Sequence, residues 1–299
     1  MAAKVMPKHR LEKVGLGLTG ACVALVAVVV LALIFMIFGK GLSAFFKDGV
    51  SPVEFFTGTQ WDLANAKPNG MPYVGALPLI VTSFAVTILS TVFALPIAIG
   101  SAIFAVEIKP KFGKAVFQPV VELLVGIPSV VFGLIGFHII VGAMKTIFGS
   151  ATGLGILPGS IVLAIMILPT ITTFSIDALR AVPASYRQGS LALGCTRWQT
   201  IWHVVLQAAT PSLITATILG MTRAFGETLA VRMVIGGIEK MPTSLLDSAS
   251  TITTTLTTSM AVYADGSPQA DILWALGMIL LAMSLLFILL IHLVGRKKA

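Results

Sequence analysis

Long apolar runs separated by short polar stretches fill the chain from end to end. Six such blocks fall at about 14–38, 77–106, 115–144, 156–176, 208–236 and 271–294. A helix needs roughly 20 predominantly apolar residues to cross the hydrocarbon core of a bilayer, so each block predicts one spanning helix. Prolines interrupt several of them: Pro78 and Pro96, Pro119 and Pro128, and Pro169. In a membrane the freed carbonyls must be satisfied by neighbouring helices, so a proline-broken span lines an interface or a cavity, unless the proline is a simple kink. Between the last two blocks, residues 237–270 are rich in Ser and Thr. Leu245, Ile252, Leu256 and Met260 recur there at nearly helical spacing, which predicts an amphipathic helix at the outer interface.

Composition agrees with the pattern. Of the 299 residues, 57% are hydrophobic and 11% charged, with a mean hydropathy of +0.99. An ordinary soluble domain carries about 25% charged residues. Soluble enzymes, disordered chains and disulfide-stapled secreted domains are therefore excluded. The net charge of +8 reads as loop Lys and Arg arranged by the positive-inside rule, with no call for nucleic acid as a partner.

That rule sets the orientation. Lys4, Lys8, Arg10, Lys13, Lys109, Lys111, Lys114, Arg180, Arg187, Arg197, Arg296, Lys297 and Lys298 fall on one side, 13 in all, against 5 opposite: Lys40, Lys47, Lys67, Lys145 and Lys240. Both termini are expected in the cytoplasm of a multi-pass protein of the cell (inner) membrane, which six spans satisfy. The basic N-terminus followed by apolar residues 14–38 mimics a signal peptide. The run is too long for one and no A-x-A site follows, so it reads as a retained first span. Cys22 and Cys195 lie too far apart in this topology to pair. No metal-ligand spacing occurs, and neither a metal nor a cofactor is expected.

Catalytic patterns are missing as well. There is no H-E-x-x-H or G-x-S-x-G, and His9, His138, His203 and His292 are scattered. There is no G-x-x-x-x-G-K-[ST], so an ATP-driven process would need its nucleotide site on another polypeptide. The most informative polar stretch runs from Val182 to Trp202. Pro183 suits the first turn of a helix, and Gly194 suits a sharp turn or a close backbone approach. Tyr186, Leu193, Trp198, Ile201 and Trp202 form an aromatic-rich set flanked by Arg187 and Arg197. Such a knob fits a partner protein; the competing reading is a helix lying on lipid headgroups.

This stretch resembles the coupling loop of ABC-importer permeases, E-A-A, three residues, Gly, nine residues, then I-x-L-P. Gly194 falls on the glycine and Val204-Val205-Leu206 on the I-x-L, while Gln188-Gly189-Ser190 replaces E-A-A and Gln207 the proline. A Glu contact to an ATPase from position 188 is therefore not available. Two further stretches, Glu122–Leu134 (ELLVGIPSVVFGL) and Arg223–Val231 (RAFGETLAV), resemble the phosphate-specific transport permeases, more the PstC-type than the PstA-type subunit. The similarity runs from about residue 76 to 236.

The resemblance implies an all-α, type I ABC-importer permease carrying inorganic phosphate by alternating access. Its implied partners are a PstA-like second permease, a dimeric PstB-like ATPase and an extracytoplasmic PstS-like phosphate-binding protein. Tyr186, Arg187, Gln188, Gly194, Arg197 and Trp198 become the expected ATPase-coupling residues. The expected organisation is a tail, first span and outer loop over 1–75, a permease domain over 76–294 with its coupling loop at 177–203, and a tail at 295–299.

Arg223 and Glu227 lie near the middle of the fifth block, where ionisable groups are costly and usually functional. On one continuous helix, four residues leave them about 40° apart, on a shared face. Arginine offers a donor fork that matches phosphate oxygens, and Glu227 could neutralise it while the site is empty. The alternative is a structural ion pair. Ser129, after Pro128 at a helix break, is a further candidate on the pathway. Glu122 either pairs across to a partner or reaches water, and Arg232 is expected to snorkel outward or face a partner. The rival functions are a molybdate or sulfate permease, and, in other classes, a channel or a membrane enzyme.

Overall fold

A computed structural model describes residues 8–66 and 71–296. The chain opens with α1 (Lys8–Phe46) and a short α2 (Pro52–Thr57), started by Pro52 in its first turn, where the missing N–H costs nothing. An antiparallel hairpin, β1 (Trp61–Ala66) with β2 (Pro72–Val74), leads into α3 (Leu77–Ile103). A π-helical turn, Phe104–Ile108, ends that helix. After α4 (Pro110–Phe112) and a second π turn come α5 (Gln118–Val125), α6 (Ser129–Ile135) and α7 (Val141–Phe148). Next are α8 (Ile156–Arg180), α9 (Ala184–Ala192) and α10 (Arg197–Thr200), which runs through a π turn into α11 (Leu206–Phe225). Last come α12 (Leu229–Ile235), α13 (Ile252–Ser259) and α14 (Pro268–Arg296).

Among the described residues, six helices are long and apolar enough to cross a membrane: Val14–Phe46, Leu77–Ile108, Ser129–Phe148, Ile156–Arg180, Arg197–Phe225 and Pro268–Leu290. The fold is thus mostly helical, as the six apolar blocks predicted, with a small hairpin the pattern did not announce. Helix α8 is the central pillar and the most buried span, whereas the apolar part of α1 is exposed along most of its length. Against α8 packs α11, and Gly220 lets them approach, since a Cβ there would collide with Ile171. Toward its end α1 turns inward, where Gly41 lies against Trp274 and Met278 of α14.

Among the described residues, the buried apolar side chains gather in three clusters. One gathers α14 with Ala44, Phe55, Trp61 and Leu63, a second joins α3, α8 and α12, and the third joins the ends of α3 and α8 to Ile201, Val205 and Leu213. The end holding this third cluster also carries Lys109, Lys111, Lys114, Arg180 and Arg197, and is called the basic end below.

Three sequence expectations change. The third block does not start at 115 as a continuous span: Gly126 caps α5, and Pro128, which has no N–H to donate, forces a fresh start at Ser129. The fifth block does not run to 236; its helix begins earlier, at Arg197, ends at Phe225, and resumes as the separate α12. Residues 237–270 form no interfacial amphipathic helix. Apart from the first turn of α14, only Ile252–Ser259 is helical there; its buried residues are Ile252 and three threonines, and Leu245 and Met260 are exposed outside it. A Thr251–Thr254 capping box and the bond from Ile252 N–H to Ser83 Oγ (3.0 Å) hold that helix inside the protein.

Candidate substrate pathway and docking loop

The two stretches that resembled phosphate permeases meet in space. Helix α6, which follows the Gly126–Pro128 break, packs on α12, which follows the Gly226–Thr228 break. Gly133 makes this approach feasible, because a Cβ there would stand 2.7 Å from Met233 Sδ and 3.0 Å from Ala230 Cα. Discontinuous helices meeting inside a bundle expose backbone polar groups that only a protein interior or an aqueous path can tolerate.

Arg223 occupies the last turn of α11, where the carbonyl end of the helix favours a cation. Its Nη1 donates to Thr170 Oγ1 at 2.7 Å, and the side chain is half-buried. Thr170 follows Pro169, inside α8. Glu227 does not share a helix face with Arg223, because the helix has already broken at Gly226. Among the described residues no ion pair joins the two. Glu227 Oε1 instead accepts the N–H of Ala230 (3.2 Å), capping α12, and its backbone carbonyl accepts Thr253 Oγ1 (2.9 Å). Glu227 lines a small crevice of about 10 Å³ together with Ser83, Thr87, Thr251 and Thr253 and with the apolar Val86, Leu163 and Phe225. Ser129 opens α6 and is half-buried.

At the basic end, α9 and α10 form a helix–turn–helix. Gly194 makes the turn with φ +84°, a left-handed backbone in open space, so glycine is required there by conformation and not by crowding. A Thr196–Gln199 capping box starts α10. Trp198 and Trp202 stack with centroids 5.9 Å apart and stay 60% and 52% exposed. Tyr186, Leu193, Gln188 and Arg197 are exposed as well, while Ile201 is buried. Arg187, also in the expected coupling set, does not join the exposed face. It turns inward onto Glu107, because a carboxylate and two helix-end carbonyls satisfy its donors there.

Sequence reasoning missed Glu107 and Thr170, both identifiable only through the arginines they hold. It also missed a relay in which Arg180 Nη1 donates to Gln118 Oε1 and Gln118 Nε2 to Glu122 Oε1, each at 2.9 Å. Glu122 is thereby engaged within its own chain. At the opposite end Arg232 is exposed and its guanidinium lies over Gly237. Burial pushes the nearby Glu239 carboxyl above its ordinary range, with the Thr255 hydroxyl and Arg232 opposing and Asp62 reinforcing.

Comparison with known proteins bears on these features. Residues 94–299 match the family described as binding-protein-dependent transport system inner membrane component. A "Probable ABC transporter permease protein YqgH" from Bacillus subtilis is 50% identical over 279 residues, covering 93% of this chain and 89% of that protein. A "Phosphate transport system permease protein PstC 1" from Mycobacterium bovis is 35% identical over 239 residues, covering 70% of each. An inward-facing structure of the MetNI methionine ABC transporter superposes with a TM-score of 0.56 at 17% identity, over 73% of this chain and 94% of that one, which speaks for the fold alone. The chain belongs to the inner-membrane components of binding-protein-dependent transport systems.

Proposed function

We propose that this chain is one of two permease halves of an ATP-driven importer of inorganic phosphate. The observation that carries this reading is the meeting of α6 and α12, with an arginine at the end of the preceding α11 anchored on α8. The same stretches resemble phosphate permeases, and relatives named as phosphate permeases align over most of the chain. Arg223, with Glu227 and Ser129 at the adjoining breaks, would offer the anion a fixed cation and polar helix ends. Glu227 caps α12, so its part is to hold that helix in register rather than to neutralise Arg223 at rest.

The partners that complete the reading are a PstA-like second permease, a dimeric PstB-like ATPase that performs all ATP hydrolysis, and a PstS-like phosphate-binding protein. The exposed Tyr186, Trp198 and Trp202 face offers the ATPase aromatic anchors, with Gln188 and Arg197 beside them. In the purified complex, phosphate with its binding protein should stimulate ATP hydrolysis while molybdate and sulfate do not. Stimulation by either of these alone would reassign the substrate, and purification without any ATPase would favour a channel or a membrane enzyme.

The orientation follows from charge. With the basic end in the cytoplasm of the cell membrane, the half-buried Cys195 should react with an impermeant thiol reagent only in inside-out vesicles or permeabilised cells. Labelling in sealed cells would reverse the topology.

A further inference from the structure

We infer that the Glu107–Arg187 pair is a strut that carries movement of the docking loop into the membrane-spanning helices, an inference that rests on the importer reading above. Arg187 belongs to α9, yet its guanidinium turns away from the exposed aromatic face. Its Nε and Nη2 donate to Glu107 Oε1 at 3.0 and 2.6 Å, and Nε lies 3.3 Å from Oε2. Nη1 donates to the Val182 carbonyl at 2.7 Å, and Nη2 also donates to the Leu179 carbonyl at 2.8 Å. One planar group therefore joins α9, the end of α8 and the end of the second span.

The two side chains are 23% and 11% exposed, so the contact is largely removed from water. There a forked arginine–carboxylate contact is strong and directional, and removing one member leaves the other charge uncompensated. Across α9, the Ser190 and Thr200 hydroxyls lie 2.9 Å apart and tie the loop to the start of the fifth span. Glu107 is itself firmly placed. Its π turn is buttressed by Gly113, packed so closely on the Ala105 backbone that any Cβ would collide. A load on α9 thus reaches the second, fourth and fifth spans together, as one rigid body. Glu107 and Arg187 are positioning residues; their task is geometric. Lysine at 187 would keep the charge but lose the fork that reaches carboxylate and carbonyls at once.

The test uses the full complex, with Cys22→Ser and Cys195→Ser, and Lys240→Cys as a reporter at the opposite end. ATP-driven change in labelling at 240 reads transmission whichever anion is carried. In Glu107→Gln and in Arg187→Gln the ATPase should stay bound and hydrolyse ATP, while that change falls about fivefold or more. The double variant should lose no more than the worse single, as members of one contact do, and Arg187→Lys should retain part of the response. Loss of the ATPase from Arg187→Gln alone, with Glu107→Gln normal, would make Arg187 a docking contact and overturn the strut. A parent that responds to ATP and a Glu107→Gln variant that responds equally would also overturn it. A parent in which ATP leaves 240 unchanged would remove the importer reading, and the strut with it.

Discussion

Phosphate uptake should disappear in Arg223→Gln while the permease pair and its ATPase still assemble. The arginine is half-buried at the end of α11, and one of its nitrogens is held by Thr170 at 2.7 Å. That is the one hydrogen bond of this side chain among the described residues, and a guanidinium carries five donors, so the fork has others to offer an anion. Removing a preorganised charged donor from a partly buried site costs about a hundredfold in rate. Lysine at 223 should rescue only in part, because it keeps charge without the fork. Thr170→Val should lower uptake less than Arg223→Gln, by releasing the guanidinium from its fixed position. Uptake and assembled complex should be quantified in the same membranes. Normal uptake by Arg223→Gln would refute a pathway role, and loss of complex in proportion to uptake would make the arginine a packing element.

The second large effect is steric. Gly133→Val should abolish uptake and reduce the amount of folded permease, because the added atoms meet Met233 Sδ and the Ala230 backbone at the α6–α12 contact. Overpacking of this kind costs about 1–3 kcal/mol when neighbours must shift. Adding Met233→Ala should restore part of the folded protein, since the flexible thioether is the nearer obstacle. Full recovery is not expected, because the Ala230 Cα cannot withdraw without moving α12. Permease abundance and thermal inactivation measured side by side would check both statements. Wild-type abundance and uptake in Gly133→Val would mean that α6 and α12 do not pack closely.

The polar breaks explain why the fold was legible and the site only half so. Six spans follow from one-dimensional facts, the length of each apolar run and the energetic demand that backbone groups in lipid be paired within a helix. The prolines were legible as interruptions, but their roles were not. Pro78 begins a helix, Pro128 precedes a restart, Pro119 sits inside the helical run from Pro110 to Val125 just after its π turn, and Pro96 and Pro169 stay inside α3 and α8. Whether a proline starts, stops or merely bends a helix depends on what pairs with the freed carbonyl, which is a property of neighbours.

Arg223 and Glu227 mark the same boundary between the two kinds of information. Local sequence identified both as costly groups in an apolar block, and the ~100° turn of an ideal helix placed them on one face. That geometry holds only while the helix continues. Gly226 ends it, Glu227 caps α12, and Thr170, 53 residues away in the chain, becomes the partner of Arg223. The docking loop shows a similar division. Gly194 and the exposed tryptophans were readable because a turn and an aromatic face are local features. That Arg187 turns inward was not readable there, because its partner, Glu107, lies 80 residues earlier. Composition, run length and charge asymmetry thus sufficed for the class of protein, its span number and its expected orientation. The pairing of ionisable side chains was decided by tertiary structure, because a buried charge takes whichever partner the packed helices bring within hydrogen-bond reach.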